Sequence, residues 1–178
     1  MSPTDLLILA LLAQAPGHGY DLKKRLERLS SGTFALNDKL LYPALRRFEE
    51  EGLLSSERRL DSAAPPRRVF ALTAQGHDAL RSSLEDFSET AARNPHEFQV
   101  RFLLFRLLPA EVRLAIIERR RRALEGSLER IAAGSVIERV GELAQAYAPR
   151  LVDLARRQAE AELRWLDEQH GLESASLT

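Results

Sequence analysis

Three polar side chains, Lys39, Tyr42 and Arg46, follow one another at spacings of three and four residues. On a helix that spacing brings them to or near one side. Lysine and arginine can donate to O6 and N7 of guanine, and the nearby Asn37 can pair with adenine. Upstream, Tyr20, Lys23 and Lys24 suit phosphate oxygens. Downstream, Arg67-Arg68 suits phosphate or a minor groove. The chemistry in view is hydrogen bonding to a duplex, not the making or breaking of bonds. His18, His77, His96 and His170 show no i, i+4 metal-ligand spacing, no Gly-rich phosphate loop follows a strand, and Gly-x-Ser-x-Gly is absent. No catalytic constellation emerges, and neither a metal nor a cofactor is expected.

The elements that must position these residues can be read in order. Ser2-Pro3-Thr4-Asp5 has the form of a helix start, followed by a wide apolar face of Leu6, Leu7, Leu9, Ala10 and Ala13. Pro16-Gly17 breaks that helix. A second is predicted from about Gly19 to Leu29, with Tyr20, Leu22, Leu26 and Leu29 inward, and Ser30-Ser31-Gly32 ends it. In the third, Leu41, Ala44, Leu45 and Phe48 fall at i, i+3, i+4, i+7, one buried stripe, with Lys39, Tyr42, Arg46 and Glu50 on or near the other side. Pro43 lacks an N–H and belongs in a first turn, so the start is expected near Asp38 to Leu40 with Asn37 or Asp38 as cap. Free N–H groups at such an end can face a phosphate. Gly52 stops the helix. Leu54 to Arg59 and Arg68 to Leu72 are strand candidates around a turn-rich tip that contains Pro65-Pro66. Thr73 then caps a fourth helix whose apolar positions are Leu80, Leu84 and Phe87. Helix, helix, helix, hairpin, helix is the order of a winged helix-turn-helix.

Asn94-Pro95 marks the expected boundary, giving a winged helix over 1–93 and an all-helical region over 94–178. Residues from Phe98 to Leu108 are apolar nearly all round, as in a helix buried on more than one side. Leu108-Pro109-Ala110-Glu111 opens a long helix that could reach Ala133. Its stripe of Leu114, Ile117, Arg121, Leu124, Leu128 and Ile131 predicts a partly buried ion pair or packed stem at Arg121. The run Arg119 to Arg122 spreads round a helix circumference and cannot form one nucleic-acid face. Ile137, Val140, Ala144, Tyr147, Leu151, Leu154, Gln158, Ala161 and Trp165 make a heptad stripe with one polar break. Pro149 should kink that stretch or begin the final helix, and the tail after Gly171 is expected to fray. Ile117, Leu124, Leu128, Tyr147, Leu151, Leu154 and Trp165 are the candidate dimer interface. Phe98, Phe102, Phe105 and Trp165 are either plain core or the lining of a pocket for an apolar or aromatic effector.

Composition bounds the rest. The 178 residues carry 26 basic and 26 acidic side chains, so a nucleic-acid surface must be local. Only three of the basic residues are lysine, a bias read as that of a GC-rich genome and not as a sign of phosphate binding. There is no cysteine, which removes thiolate zinc sites, disulfides and Cys nucleophiles and fits a reducing compartment. The first apolar stretch, Leu6 to Ala13, is too short to span a membrane and lacks the basic start of a signal peptide; a cytoplasmic location is expected.

His18-Gly19-Tyr20-Asp21-Leu22, Leu41-Tyr42-Pro43-Ala44-Leu45, Glu51-Gly52-Leu53, and Arg67-Arg68 with Leu72-Thr73 resemble, in order and spacing, the PadR family of bacterial transcriptional regulators. The second half is more loosely similar to the helical dimerisation region of longer members, through Glu97-Phe98, Leu108-Pro109-x-Glu111 and Glu162-Leu163-x-Trp165-Leu166. The chain departs from the family twice. Lys39-Leu40 stands where a small Gly-Ser/Thr pair is usual, and Val69-Phe70 stands in place of a Tyr-Tyr pair on the wing, so no phenol contact to phosphate arises there. The resemblance implies a mainly α fold with a small β wing, and a dimeric, sequence-specific DNA-binding regulator, more a repressor than an activator. It would read a near-palindromic operator, and would respond to an apolar or aromatic effector if the Phe98, Phe102, Phe105 and Trp165 cluster is a pocket and not plain core. The rival reading keeps the winged helix as a protein-docking module without specific DNA binding.

Overall fold

The computed structural model describes residues 1–30, 38–59, 67–133 and 147–175, with backbone alone at 29, 30, 59 and 67. Two compact units result, Met1–Asp86 and Phe87–Thr178. The division falls a little ahead of Asn94-Pro95 because Phe87 and Ala92 are buried in the second unit's own core.

In the first unit, α1 (Pro3–Gln14) starts with the expected capping box: the Ser2 hydroxyl accepts from the Asp5 N–H, and the Asp5 carboxylate accepts from the Ser2 N–H. Its seven residues from Leu6 to Leu12 are all buried, a wider face than the spacing suggested. The reason is position: α1 packs against α2 (Gly19–Ser30), α3 (Asp38–Glu50), α4 (Ala74–Glu85) and the hairpin strand β2 (Arg67–Leu72), so no side is left for water. On α2, Leu22 and Leu26 are inward as expected, but Tyr20 is 61% exposed; Leu29 has no described side chain. On α3 the buried residues are Leu41, Ala44, Leu45 and Phe48, the stripe read from the sequence. Pro43 is the sixth residue of α3 and so sits in its second turn, not its first. The cost is small there, because the one N–H it lacks would have met the carbonyl of Lys39, still within the exposed first turn.

Gly52 ends α3 with φ +74°; its N–H donates to the Glu49 carbonyl and that of Leu53 to Phe48, a Schellman closure. The chain then enters β1 (Leu54–Arg59), which pairs antiparallel with β2 so that Leu54 faces Leu72 and Ser56 faces Phe70. A bridge between Gly17 and Phe70 adds the α1–α2 connection to this sheet. Thr73 caps α4 as expected, accepting from the Gly76 N–H while its hydroxyl donates to the carbonyls of Gly52 and Leu53. Gly76 is obligatory in this geometry, since a Cβ there would lie 2.2 Å from the Leu53 carbonyl oxygen. α4 ends at Glu85, short of Phe87.

The second unit holds α5 (Glu89–Arg93), α6 (Pro95–Leu103), a 3-10 turn (Phe105–Leu107), α7 (Ala110–Ala132) and α8 (Ala148–Ala175). Asn94 and Pro95 cap and open α6. The apolar run to Leu108 is therefore a short helix and a 3-10 turn, not one helix. Pro149 lies in the first turn of α8, and α8 continues through Gly171, where fraying was expected. Ile137, Val140 and Ala144 of the heptad stripe lie outside the described residues, as do Gly32 and the hairpin tip.

The buried face of α7 is Ile116, Ile117, Arg120 and Leu124. Arg120, not Arg121, is the buried arginine. Its guanidinium meets both Glu162 oxygens at 2.7 and 2.8 Å, donates to the Ala92 carbonyl at 2.7 Å, and lies over the Phe98 ring. One cation thus joins α5, α6, α7 and α8. Arg121 is half-buried and pairs with Asp167 at 2.9 Å, the partly buried ion pair expected there.

Candidate nucleic-acid interface

The helix-turn-helix of α2 and α3 has one apolar side sealed against α1 and one polar side open to solvent. On the open side, Tyr20, Leu40 and Tyr42 are exposed by 61, 56 and 46%. Arg46 is exposed and makes no hydrogen bond or ion pair among the described residues. The Lys24 ammonium sits 4.6 Å from the Tyr20 ring centroid, and Lys39 is exposed on the first turn of α3. Tyr42 is held by Gly19 at the start of α2: a Cβ on residue 19 would be 2.9 Å from the ring. His18, Gly19, Tyr20, Tyr42, Arg46, Arg68 and Phe70 line one open groove of about 660 Å³.

Several other cations of this unit are committed to the fold. Arg25 donates to the carbonyls of Ala15 and Pro16 and so closes the C-terminus of α1. Arg47 binds Asp5 at 2.6 Å and covers the Phe48 ring. Lys23, expected at phosphate, pairs with Asp38 at 3.1 Å. Arg68, expected at the duplex, donates to both Glu49 oxygens at 2.7 and 2.9 Å and to the Ser56 hydroxyl at 2.7 Å. Glu49 therefore ties α3 to the wing and is not a solvent-facing acid. The Arg68 carbonyl can only accept, so His18 Nδ1, 2.8 Å away, carries the proton. That bond fixes the imidazole edge that faces the groove.

The structure thus brings together Tyr20, Tyr42 and Arg46, with Arg68 at the rim as a wing anchor. Asn37 lies outside the described residues, and Arg67 is placed only as backbone in β2. Sequence reasoning missed Arg58. The hairpin register sets Arg58 opposite Arg68, two like charges of which Arg68 has the Glu49 carboxylate beside it. Arg58 is exposed and unpaired among the described residues. The signal was available only as a register, since it requires knowing which residues of the hairpin face each other.

In the second unit, Ile117 and Leu124 were expected at a dimer interface. They are buried within the unit, at 0 and 7% exposure, and offer no surface to a second copy. Leu128 and Trp165 are half-buried. Tyr147, just ahead of α8, and Leu151 and Leu154 on it are exposed by 50 to 67%. Phe98, Phe102, Phe105 and Trp165 do come together, with ring centroids of 4.7 Å for Phe102–Phe105 and Phe102–Trp165 and 6.3 Å for Phe98–Trp165. They touch one another as a packed aromatic core.

Three helices, a two-stranded wing and a fourth helix, with the polar side of α2 and α3 open, define a winged helix-turn-helix regulator domain. The family model described as "Transcriptional regulator PadR-like family" matches residues 8–82, nearly the whole of this unit, and it is this unit that is similar to the PadR-like family. Transcriptional regulator YqjI of Escherichia coli (strain K12) is 30% identical over 80 residues, which are 45% of this chain and 37% of that protein. The match therefore spans little more than a third of that relative's length. A crystal structure of Bacillus subtilis PadR in complex with operator DNA is similar over 97% of this chain and 98% of that one, at 16% identity and a TM-score of 0.45. A transcriptional regulator from Clostridium thermocellum, Cth-833, is similar over 48% of this chain and 83% of that one, at 23% identity and a TM-score of 0.45.

Proposed function

We propose that the chain is a cytoplasmic, homodimeric, sequence-specific DNA-binding regulator of transcription that acts as a repressor. The observation that carries this reading is selective neutrality. Arg25, Arg47 and Arg68 are satisfied inside the fold, while Arg46 on α3 and Arg58 on the wing are exposed and without partners among the described residues. In this reading α3 enters the major groove, with Arg46 and Lys39 at base edges and Tyr20, Lys24 and Tyr42 at phosphates. Arg58 and Arg67 follow the adjacent backbone. Tyr147, Leu151 and Leu154 supply an apolar surface on which a second copy can close, so that two reading heads meet half-sites about one DNA turn apart. An apolar effector would enter at Phe98, Phe102, Phe105 and Trp165. It has to part rings that are now in contact, and it acts by its differential affinity for the two arrangements.

The test is fluorescence anisotropy of the full chain on duplex from its own upstream region beside a scrambled duplex, over a salt series. Binding to the first alone, weakening as salt rises, is expected. No binding to either at low salt, or a monomer by light scattering at micromolar concentration, overturns the reading. The exposed Leu40, Tyr20 and Tyr42 would also suit a protein-docking surface. Charge reversal at Arg46 separates the two: it weakens DNA binding strongly in the first case and spares a protein partner in the second.

A further inference from the structure

We infer that Leu40 reads a thymine methyl, so that each operator half-site presents a thymine C5-methyl to the first turn of α3. The inference rests on the DNA-binding reading above and deepens it. Leu40 is the third residue of α3 and is 56% exposed, although the helix has a complete apolar stripe of its own at Leu41, Ala44, Leu45 and Phe48. Packing among the described residues therefore does not account for it. Its exposed companions on the first two turns are Asp38, Lys39, Tyr42 and Pro43, so this end of the helix carries apolar surface beside its charges, which a phosphate-binding face alone does not need. The N-terminal residues of a recognition helix are the ones nearest base edges. In the major groove the one methyl group a base edge offers is that of thymine. A leucine at that place can discriminate only by covering a methyl. The same end carries Lys39, whose ammonium suits guanine O6 and N7, and Arg46 follows two turns on. The half-site is accordingly a mixed one, with a thymine and guanine in neighbouring steps.

The experiment begins with selection of duplexes from a random-sequence library by the full chain. Each thymine of the selected site is then replaced in turn by deoxyuridine, which deletes the methyl and keeps the base pair and its O4 acceptor. One position per half-site should lose roughly fourfold in affinity, the value of one buried methyl group. In Leu40→Ala that thymine-to-uridine ratio should fall to about one. Because Leu40 is exposed, the variant should keep its helical circular dichroism. Arg46→Ala serves as the control, weakening all duplexes while preserving the ratio. If no thymine is sensitive, or if Leu40→Ala keeps the ratio, the Leu40 assignment is overturned while specific DNA binding stands. If no duplex is enriched and no salt-sensitive binding is seen, the DNA-binding reading fails and takes this inference with it.

Discussion

On α7 four consecutive arginines all find partners within their own unit; on α3 the first of two consecutive arginines finds none among the described residues. Arg119 meets the Phe87 carbonyl and Glu89, Arg120 meets Glu162 and Ala92, Arg121 meets Asp167, and Arg122 meets Glu118 at 3.7 Å. On α3, Arg47 turns to Asp5 while Arg46 projects from the open side. The denser run of charge is thus the structural one. What makes a cation available to a ligand is not the local count of like residues but whether the fold has already given it a carboxylate or a carbonyl.

Removing the most deeply committed cation should have the largest effect. Arg120→Ala leaves Glu162 facing a hole and takes a donor from the Ala92 carbonyl, with an expected loss of about 3–5 kcal/mol of stability. Urea unfolding of the full chain measures it. A loss below about 1 kcal/mol would mean that the four helices are held by their apolar contacts alone, and the comparison with α3 would lose one of its sides.

Next is the uncommitted one. Arg46→Glu should lower affinity for a selected duplex roughly ten- to hundredfold, in keeping with about 1–3 kcal/mol for a base contact. Its unfolding midpoint should stay where it was. Equal affinity for wild type and variant would show that Arg46 is idle. Its neighbour sharpens the contrast. Arg47→Ala should cost about 0–1 kcal/mol of stability, as exposed pairs do, and change DNA affinity little. A loss of binding in Arg47→Ala comparable with that of Arg46→Glu would contradict the division of labour between the two.

This division was only partly legible in the sequence. The stripe Leu41, Ala44, Leu45 and Phe48, the Ser2 box, the Thr73 cap and the Gly52 stop depend on residues a few positions apart, and spacing alone reveals them. The choice between Arg120 and Arg121 does not. Ile116 and Ile117 are both apolar, so two stripes one residue apart fit α7 equally, and contacts from α5 and α8 decide between them. The same limit hid Glu49 and Arg68, nineteen residues apart along the chain, and Arg58, whose meaning lies in hairpin register. Tyr20 was ambiguous for a related reason: a ring at the first turn of a helix can lie inward or outward until its neighbours are known.

The weakest effect expected is at Asp153, the opposite extreme from Arg120. Its carboxylate accepts from Arg156 and Arg157, each at 2.8 Å, on a partly exposed turn of α8. The hydrogen bond from Arg156, then that from Arg157, holds the carboxyl below its ordinary value of 3.8. A group whose value is lowered by folding stabilises the fold above its unfolded value. That contribution is lost as pH falls through the lowered one, so it should fade only on acidification below the ordinary carboxylate range. An NMR titration of the Asp153 carboxyl should give a midpoint under 3.8 in dilute buffer. At 1 M salt, where charges are screened beyond about 3 Å, the midpoint should return toward the ordinary value. Asp153→Asn should leave the neutral-pH unfolding midpoint nearly unchanged. The cost of Arg120→Ala should by contrast be almost indifferent to salt, because that pair is shielded by the helices it joins. A midpoint for Asp153 that ignored salt would mean that exposed and buried pairs of this protein are screened alike, and burial would then no longer explain why one cation is structural and another free.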